Sequence, residues 1–419
     1  MTDPASSLTR RVRNALDRSR EEERRFTADP EAALRAVSDA RAGSPGARRS
    51  RRIAIGDPQA PVERFFEILD RHDLLDDDGR LHEEVLLVSM GDHFDWGAIE
   101  DRDRAATSGY RLLSWLASHP DDQVVLMANN HDLARVGELV TFDDTSFAEV
   151  RREALALRAI PISSAGRAER RHAFLSRWRV LPSVGVAARD WGTFEARQRD
   201  LVAALLRAGR YRAAWAADEN LLLVHAALTP DDLELISLPP EDLACAPAIA
   251  RAVDGLLERT VASWNASGNG DPLSLDPLYR PGSFADGEAR GIFVQRPADP
   301  ETGDLDLFRG PPRRRFDPRI LRGMPGLTLV VGHIRDNKCR DLMPRWHDRA
   351  RSEDGPLRHL WTDGETVRYA RGPLGGTDEE SVRDGRAAAM LFADGGMNFA
   401  EPGAYELVDL DTRRPAAYA

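Results

Sequence analysis

The chain has 419 residues, 42% of them hydrophobic and 30% charged, which is enough to bury one large or two ordinary cores. A formal net charge of −11 argues against nucleic acid or an anionic membrane as partner, although RRRF at 313–316 is a local basic cluster. Two cysteines, Cys245 and Cys339, are too few for a disulfide framework, no apolar run reaches the ~18 residues of a membrane span, and the opening residues carry no apolar signal-like stretch, so a reduced, cytoplasmic setting is expected.

Residues 1–50 are rich in Arg, Glu, Ala and Ser. They read as a charged, partly disordered extension with one or two solvated helices, ending in the flexible linker RAGSPGARRSRR. A compact region at 51–419 follows. IAI before Gly-Asp-Pro is a buried strand ending in a turn, and PVERFFEILDRHDLL is an amphipathic helix with Val62, Phe65, Phe66 and Leu69 on one face. VLLVSM is the next strand, RAATSGYRLLSWLASHP a second helix and VVLMA a third strand. This alternation predicts a layered α/β architecture with the sheet covered on both faces. Residues 141–220 break the series with three helical patterns, FAEVRREALALRAI, ERRHAFLSRWRVL and EARQRDLVAALLRAGRYRAAWAA, and read as an insertion able to cover a site. LLLVH resumes the strands at 221, AIARAVDGLLERTVASW is a helix, and the Pro/Gly/Asp-rich stretch 268–318 reads as loop. LTLVVGH is a fifth strand, and TVRYAR, AAAMLFADGG and AYELVDLD read as closing strands.

The five main strands end alike: Asp57 and Gln59; Asp92 and Asp95; Asn130, His131 and Asp132; His225; and His333. Each ending has a plain structural reading on its own, an aspartate as helix N-cap or a histidine as satisfied core residue. Capping does not account for all five together. Strand ends of a buried sheet face a common crevice, and positions i and i+2 of an extended segment point the same way, so Asp57 and Gln59 can grip one object. Converging carboxylates repel one another. The single lysine, Lys338, stands away from the strand tips, and Arg335 in GHIRD is the arginine nearest to one, so divalent cations are the natural counter-charge. Carboxylate, amide oxygen and imidazole together suit Mn²⁺, Fe or Zn²⁺.

In order, Gly-Asp-x-Gln, Gly-Asp-x-x-Asp, Asn-Asn-His-Asp, a strand-end His and then Gly-His resemble the signature of the calcineurin-like metallophosphoesterases, over about 52–145 and 219–340. MLFADGG at 390–396 is similar to the late strand and Asp-Gly-Gly turn of the branch with phosphoprotein phosphatases and symmetrical diadenosine tetraphosphatases. The resemblance implies a four-layer α/β/β/α sandwich and two divalent metal ions. Asp57 and Gln59 would bind the first, Asp92 would bridge both, and Asn130, His225 and His333 would bind the second. His131, oriented by Asp95, would protonate the leaving oxygen of a phosphomonoester or phosphoanhydride attacked by metal-bound hydroxide.

Three departures bear on this expectation. Gln59 stands where many relatives have histidine, and if it fails as a ligand the enzyme would use one metal only. Asn129 replaces a glycine, and asparagine tolerates the positive φ that such a turn requires. Trp96 replaces the arginine that holds phosphate in phosphoprotein phosphatases; it can stack on a base or sugar, with Arg335 and Arg135 as candidate substitutes for the charge. The expected partner is a small phosphorylated molecule or a phosphoprotein. The alternatives are a protein serine/threonine phosphatase and a non-catalytic binding module of the same fold.

Overall fold

The computed structural model describes residues 8–42, 49–348 and 351–418, so residues 43–48 of the expected linker lie outside the described residues. The architecture is mixed α/β, with two six-stranded mixed sheets. In the first, Arg51–Ile55, Val85–Ser89, Val124–Met127 and Tyr211–Arg212 run parallel, and Val408–Asp409 and Arg414–Pro415 close one edge antiparallel. In the second, Leu221–Val224, Thr328–Val331 and Ala388–Phe392 are parallel neighbours. Arg358–Thr362, Val367–Arg371 and Trp215–Ala216 extend that sheet antiparallel.

Period-two alternation orients both sheets. Ala54, Val88, Val125 and Met127 of the first sheet share one apolar cluster with Leu221, Leu223, Val330 and Leu391 of the second. The intervening residues, among them Ile53, Leu87, Leu126, Leu222, Leu329 and Met390, point the other way, into the large cluster shared with the helices. Register then aligns the strand ends. Ile55 pairs with Ser89 and Ser89 with Leu126, while Val224 and Phe392 both flank Val331. The residues just beyond these pairs therefore emerge along one rim.

The N-terminal segment differs from the solvated extension expected for it. Helices Arg10–Ala28 and Pro30–Ala42 pack on the body, the first against the helices Arg102–Ala117 and Val62–Arg71. Val12, Ala15, Leu16 and Phe26 form a thin apolar stripe that enters the main core. The stripe is sparse enough to be hidden among charges in the sequence, and only the facing helix explains it.

Within 141–220, helices Asp144–Ala159 and Arg167–Arg177 flank an apolar cluster of their own, with Phe147, Phe174 and Trp191 inside, whereas helix Ala196–Arg207 sends Leu201, Val202, Leu205 and Leu206 into the main core. The third helical pattern stops sooner than its sequence suggests. Gly209, at φ 63°, turns the chain so that Tyr211–Arg212 joins the first sheet and Trp215–Ala216 the second. The stretch 268–318 is mainly loop, with two short strand pairs.

Candidate metal centre and its cavity

Five strand ends deliver polar side chains to the common rim. Two glycines allow the approach: a Cβ on Gly332 would lie 2.1 Å from Asp57 Oδ1, and one on Gly56 2.1 Å from the Ala393 carbonyl. Asp92, Asp95 and His333 all have positive φ, at 56°, 67° and 62°. Strained backbone at three non-glycine residues of one site is held by the surrounding packing and aims the side chains inward.

Donor atoms of Asp92, His225 and His333 all lie within 4.8 Å of one another. The His225 ring is oriented by Nδ1, which donates to the Met90 carbonyl at 2.7 Å. Its Nε2 lone pair is then left facing Asn130 Oδ1 at 3.0 Å and Asp92 Oδ1 at 3.3 Å. Three acceptors pointed at one spot is an arrangement that a cation satisfies. His333 adds a ring with Nδ1 4.0 Å from Asp92 Oδ2 and a buried Nε2 without a hydrogen-bond partner. Burial, then the charge of Arg296, hold His333 neutral, the ligating form.

Asp57 accepts the His333 backbone N–H at 2.8 Å through Oδ2, while Oδ1 is buried without a partner. Burial, then Asp394 and Asp92, push the Asp57 carboxyl well above its usual range. Among the described residues, no arginine or lysine lies within ion-pair distance of Asp57, Asp92 or Asp394. Gln59 donates Nε2 to the Phe94 carbonyl at 2.9 Å, which leaves its Oε1 as the atom for the cavity that it lines. Orphaned oxygens, a neutral imidazole pair and unbalanced carboxylates make up a donor set that divalent cations fit.

Beside this cluster, His131 Nδ1 is 2.8 Å from Asp95 Oδ2, and its Nε2 is 3.9 Å from Asp92 Oδ2. Burial alone would lower the His131 pKa, but Asp92 and Asp95 outweigh it and raise the value to about 9. Asp95 is buried too, yet Arg135 and His131 hold its carboxyl down at about 2. Arg135 does not line the cavity. It is fully buried behind Asp95, 2.6 Å from Oδ2, and stacked over Phe94. Thr193, from the insertion, donates its hydroxyl to Asp95 Oδ1, and Gln198 holds the Arg135 Nε at 3.2 Å. Asp132 also turns inward, to a buried His93 at 2.6 Å and the Tyr211 hydroxyl at 2.8 Å. Asn129 does not take positive φ. At φ −147° it caps the short helix Asn130–Ala134, its Oδ1 accepting from the Asp132 backbone, and this cap turns the chain in place of a glycine.

The rim opens into a cavity of about 480 Å³ lined by Asp57, Gln59, Asp95, His131 and Asp394 at its base. Trp96 forms part of the wall, 7% exposed, with a buried indole N–H that has no partner. Arg335 also lines it, paired with Asp354 at 2.9 Å and stacked 3.9 Å over the exposed Phe399 ring. Two residues that the strand-end reading left out stand close by. Asp394 follows the strand Ala388–Phe392 just as Asp57 follows its own, so the same rule could have found it. Arg296, half-buried near Asp92 and Asp394, comes from the loop-rich stretch, where no pattern marks it. Among the described residues, no helix is long and apolar enough to cross a membrane.

No family model matches the chain, and no curated protein matches it. Among solved structures, one titled as a new structure of a cold-active protein tyrosine phosphatase at 1.1 Å aligns with 87% of this chain and 75% of its own, with a TM-score of 0.36 and 12% identity. That likeness is too slight to transfer a fold or an activity.

Proposed function

We propose that the chain is a binuclear metal-dependent phosphoesterase on the four-layer α/β/β/α sandwich of the calcineurin-like metallophosphoesterases, acting on a phosphomonoester or a phosphoanhydride. The observation that carries this reading is the convergence of Asp92, His225 and His333 beside a histidine that two carboxylates keep protonated. Asp57, Gln59 and Asp92 would hold one cation, and Asp92, Asn130, His225 and His333 the other, with Mn²⁺ the best match and Fe or Zn²⁺ as alternatives. Cations held there would supply positive charge to the phosphoryl oxygens and acidify the attacking water.

The chain's own residues do the rest. Without metal, Asp92 and Asp95 keep a proton on His131 at neutral pH; with Asp92 given over to the cations, Asp95 is the carboxylate left to hold it, and Nε2 faces the site for donation to the leaving oxygen. Asp95 fixes the ring through Nδ1, and Arg135 and Thr193 fix Asp95 in turn. A pure binding module has no use for such a relay of support behind a proton donor. Trp96 stands in the cavity wall in place of a phosphate-holding arginine, and insertion residues line the cavity beside it, which favours a small phosphorylated molecule over a phosphoprotein.

Hydrolysis of nitrophenyl phosphate, its diester, a phosphopeptide and diadenosine tetraphosphate in Mn²⁺, with an EDTA control, tests the reading. Metal-dependent turnover is expected, and His131→Ala should lower it by about 10²-fold or more. Metal binding with no turnover of any of the four would favour the binding module instead.

A further inference from the structure

Beyond the metal-facing base, the cavity reaches a group of arginines that the chemistry above does not use. Arg102, Arg158 and Arg189 line it together with Glu100 and Asp190. Arg102 opens the helix Arg102–Ala117, is buried, and donates to the Ala188 carbonyl in the insertion. Arg151 and Arg158 stand two turns apart on one face of the helix Asp144–Ala159, and Arg151 donates to the Gly192 carbonyl at 3.0 Å. Arg102 also borders a second cleft, of about 440 Å³, that Arg151 and Arg152 line.

Among the described residues, no carboxylate comes within ion-pair distance of Arg102, Arg151 or Arg158, whereas Arg189 is held by its neighbour Asp190. Burial, and then the charges of Arg151 and Arg158, lower the Arg102 pKa, so Glu100 and Asp103 compensate it only in part. In a chain of net charge −11, acids are plentiful, yet Arg102 and Arg158 stand at the cavity with no carboxylate in ion-pair distance, and Arg189 has Asp190 alone. Like charges gathered without partners cost free energy that a bound anion would relieve.

We propose that Arg102, Arg158 and Arg189 form a second anion subsite in the same cavity, so that the substrate is a small molecule bearing a second phosphate besides the one held at the base, beside Asp57, Gln59 and His131. The inference rests on the phosphoesterase reading, since it assumes that the base of the cavity takes the first phosphate. The arginines of the subsite come from the helical insertion and from the start of the helix beneath it, which gives the insertion a role in selecting substrate.

Competition against nitrophenyl phosphate hydrolysis, by a hexose 6-phosphate and by the corresponding hexose 1,6-bisphosphate, tests it in Mn²⁺. The bisphosphate should compete at about ten-fold lower concentration, as expected for charge-assisted guanidinium–phosphate bonds. Arg158 and Arg189 are exposed, so the double variant Arg158→Ala/Arg189→Ala should fold. That variant should remove most of the preference, while Arg171→Ala, an exposed arginine of the insertion away from the cavity, should keep it. Equal competition by the two sugars, or a preference that survives the double variant, overturns the proposal. If the metal-loaded protein hydrolyses none of the four substrates tested above, the phosphoesterase reading fails. Equilibrium binding of the same two sugars to the parent and the double variant then decides the subsite by itself.

Discussion

At the scale of single residues, the site stores unfavourable energy that a ligand can release. Asp57 has a buried oxygen without a partner and two carboxylate neighbours, Asp92 and Asp394, that repel it. Asp57→Asn removes that charge and keeps an oxygen for the His333 backbone N–H. Without metal, the variant should be more stable than the parent by about 1 kcal/mol or more, and the rise in Tm on adding Mn²⁺ should shrink. Thermal unfolding in EDTA and in Mn²⁺ measures both, and an unchanged Mn²⁺ response would remove Asp57 from the ligand set. Asp57, Asp92, His225 and His333 are legible in the sequence because each follows a short apolar run, and strand geometry sends such residues to one rim. Arg135 is not. It lies four residues after His131, as a cavity arginine could, but this places it under the ring, where it is spent on Asp95.

At the scale of elements, loops and insertion are tied to the site by buried polar contacts that no periodicity announces. Glu138, just past the helix that carries His131, accepts the Gly282 backbone N–H at 2.6 Å and so fastens the loop-rich stretch. Burial pushes its carboxyl up to about 7. The folded state then binds this proton more tightly than the unfolded chain, so the stability that it contributes is complete below the unfolded value near 4.5 and is lost as pH rises through about 7. Glu138→Gln keeps an acceptor for Gly282 and cannot ionise. Between pH 5 and pH 8 the parent should lose about 2 to 3 kcal/mol more stability than the variant, as read by urea unfolding at the two pH values. Parallel pH dependence of the two proteins would mean that Glu138 ionises freely in the folded state. Thr193 links the insertion to Asp95 in the same way, through a contact 98 positions apart in the chain.

At the scale of the whole molecule, one large apolar cluster runs from the N-terminal helix through the first sheet's outer face to the helices of the second. Phe26 is fully buried in it. Phe26→Ala should therefore destabilise the protein by about 3 to 5 kcal/mol in chemical denaturation, the cost of a core cavity. A loss below about 1 kcal/mol would mean that the N-terminal helix contributes little to the fold. Such a helix reads as solvated in isolation because most of its surface is charged, and its stripe has meaning only against its neighbour.

The order of strands and helices, the alternation that buries both faces of each sheet, and the row of oxygen and imidazole donors at the strand ends are all local properties, and the sequence by itself determines them. Hydrophobic periodicity and backbone geometry act over a few residues, so they can be read from a few residues. Tertiary structure alone decides which donors meet: that Asn130, His225 and Asp92 face one point, that Asp394 and Arg296 stand beside them, and that the insertion brings its arginines to the same cavity. Those encounters join residues far apart in the chain, and only the packing of the two sheets and their insertions settles them.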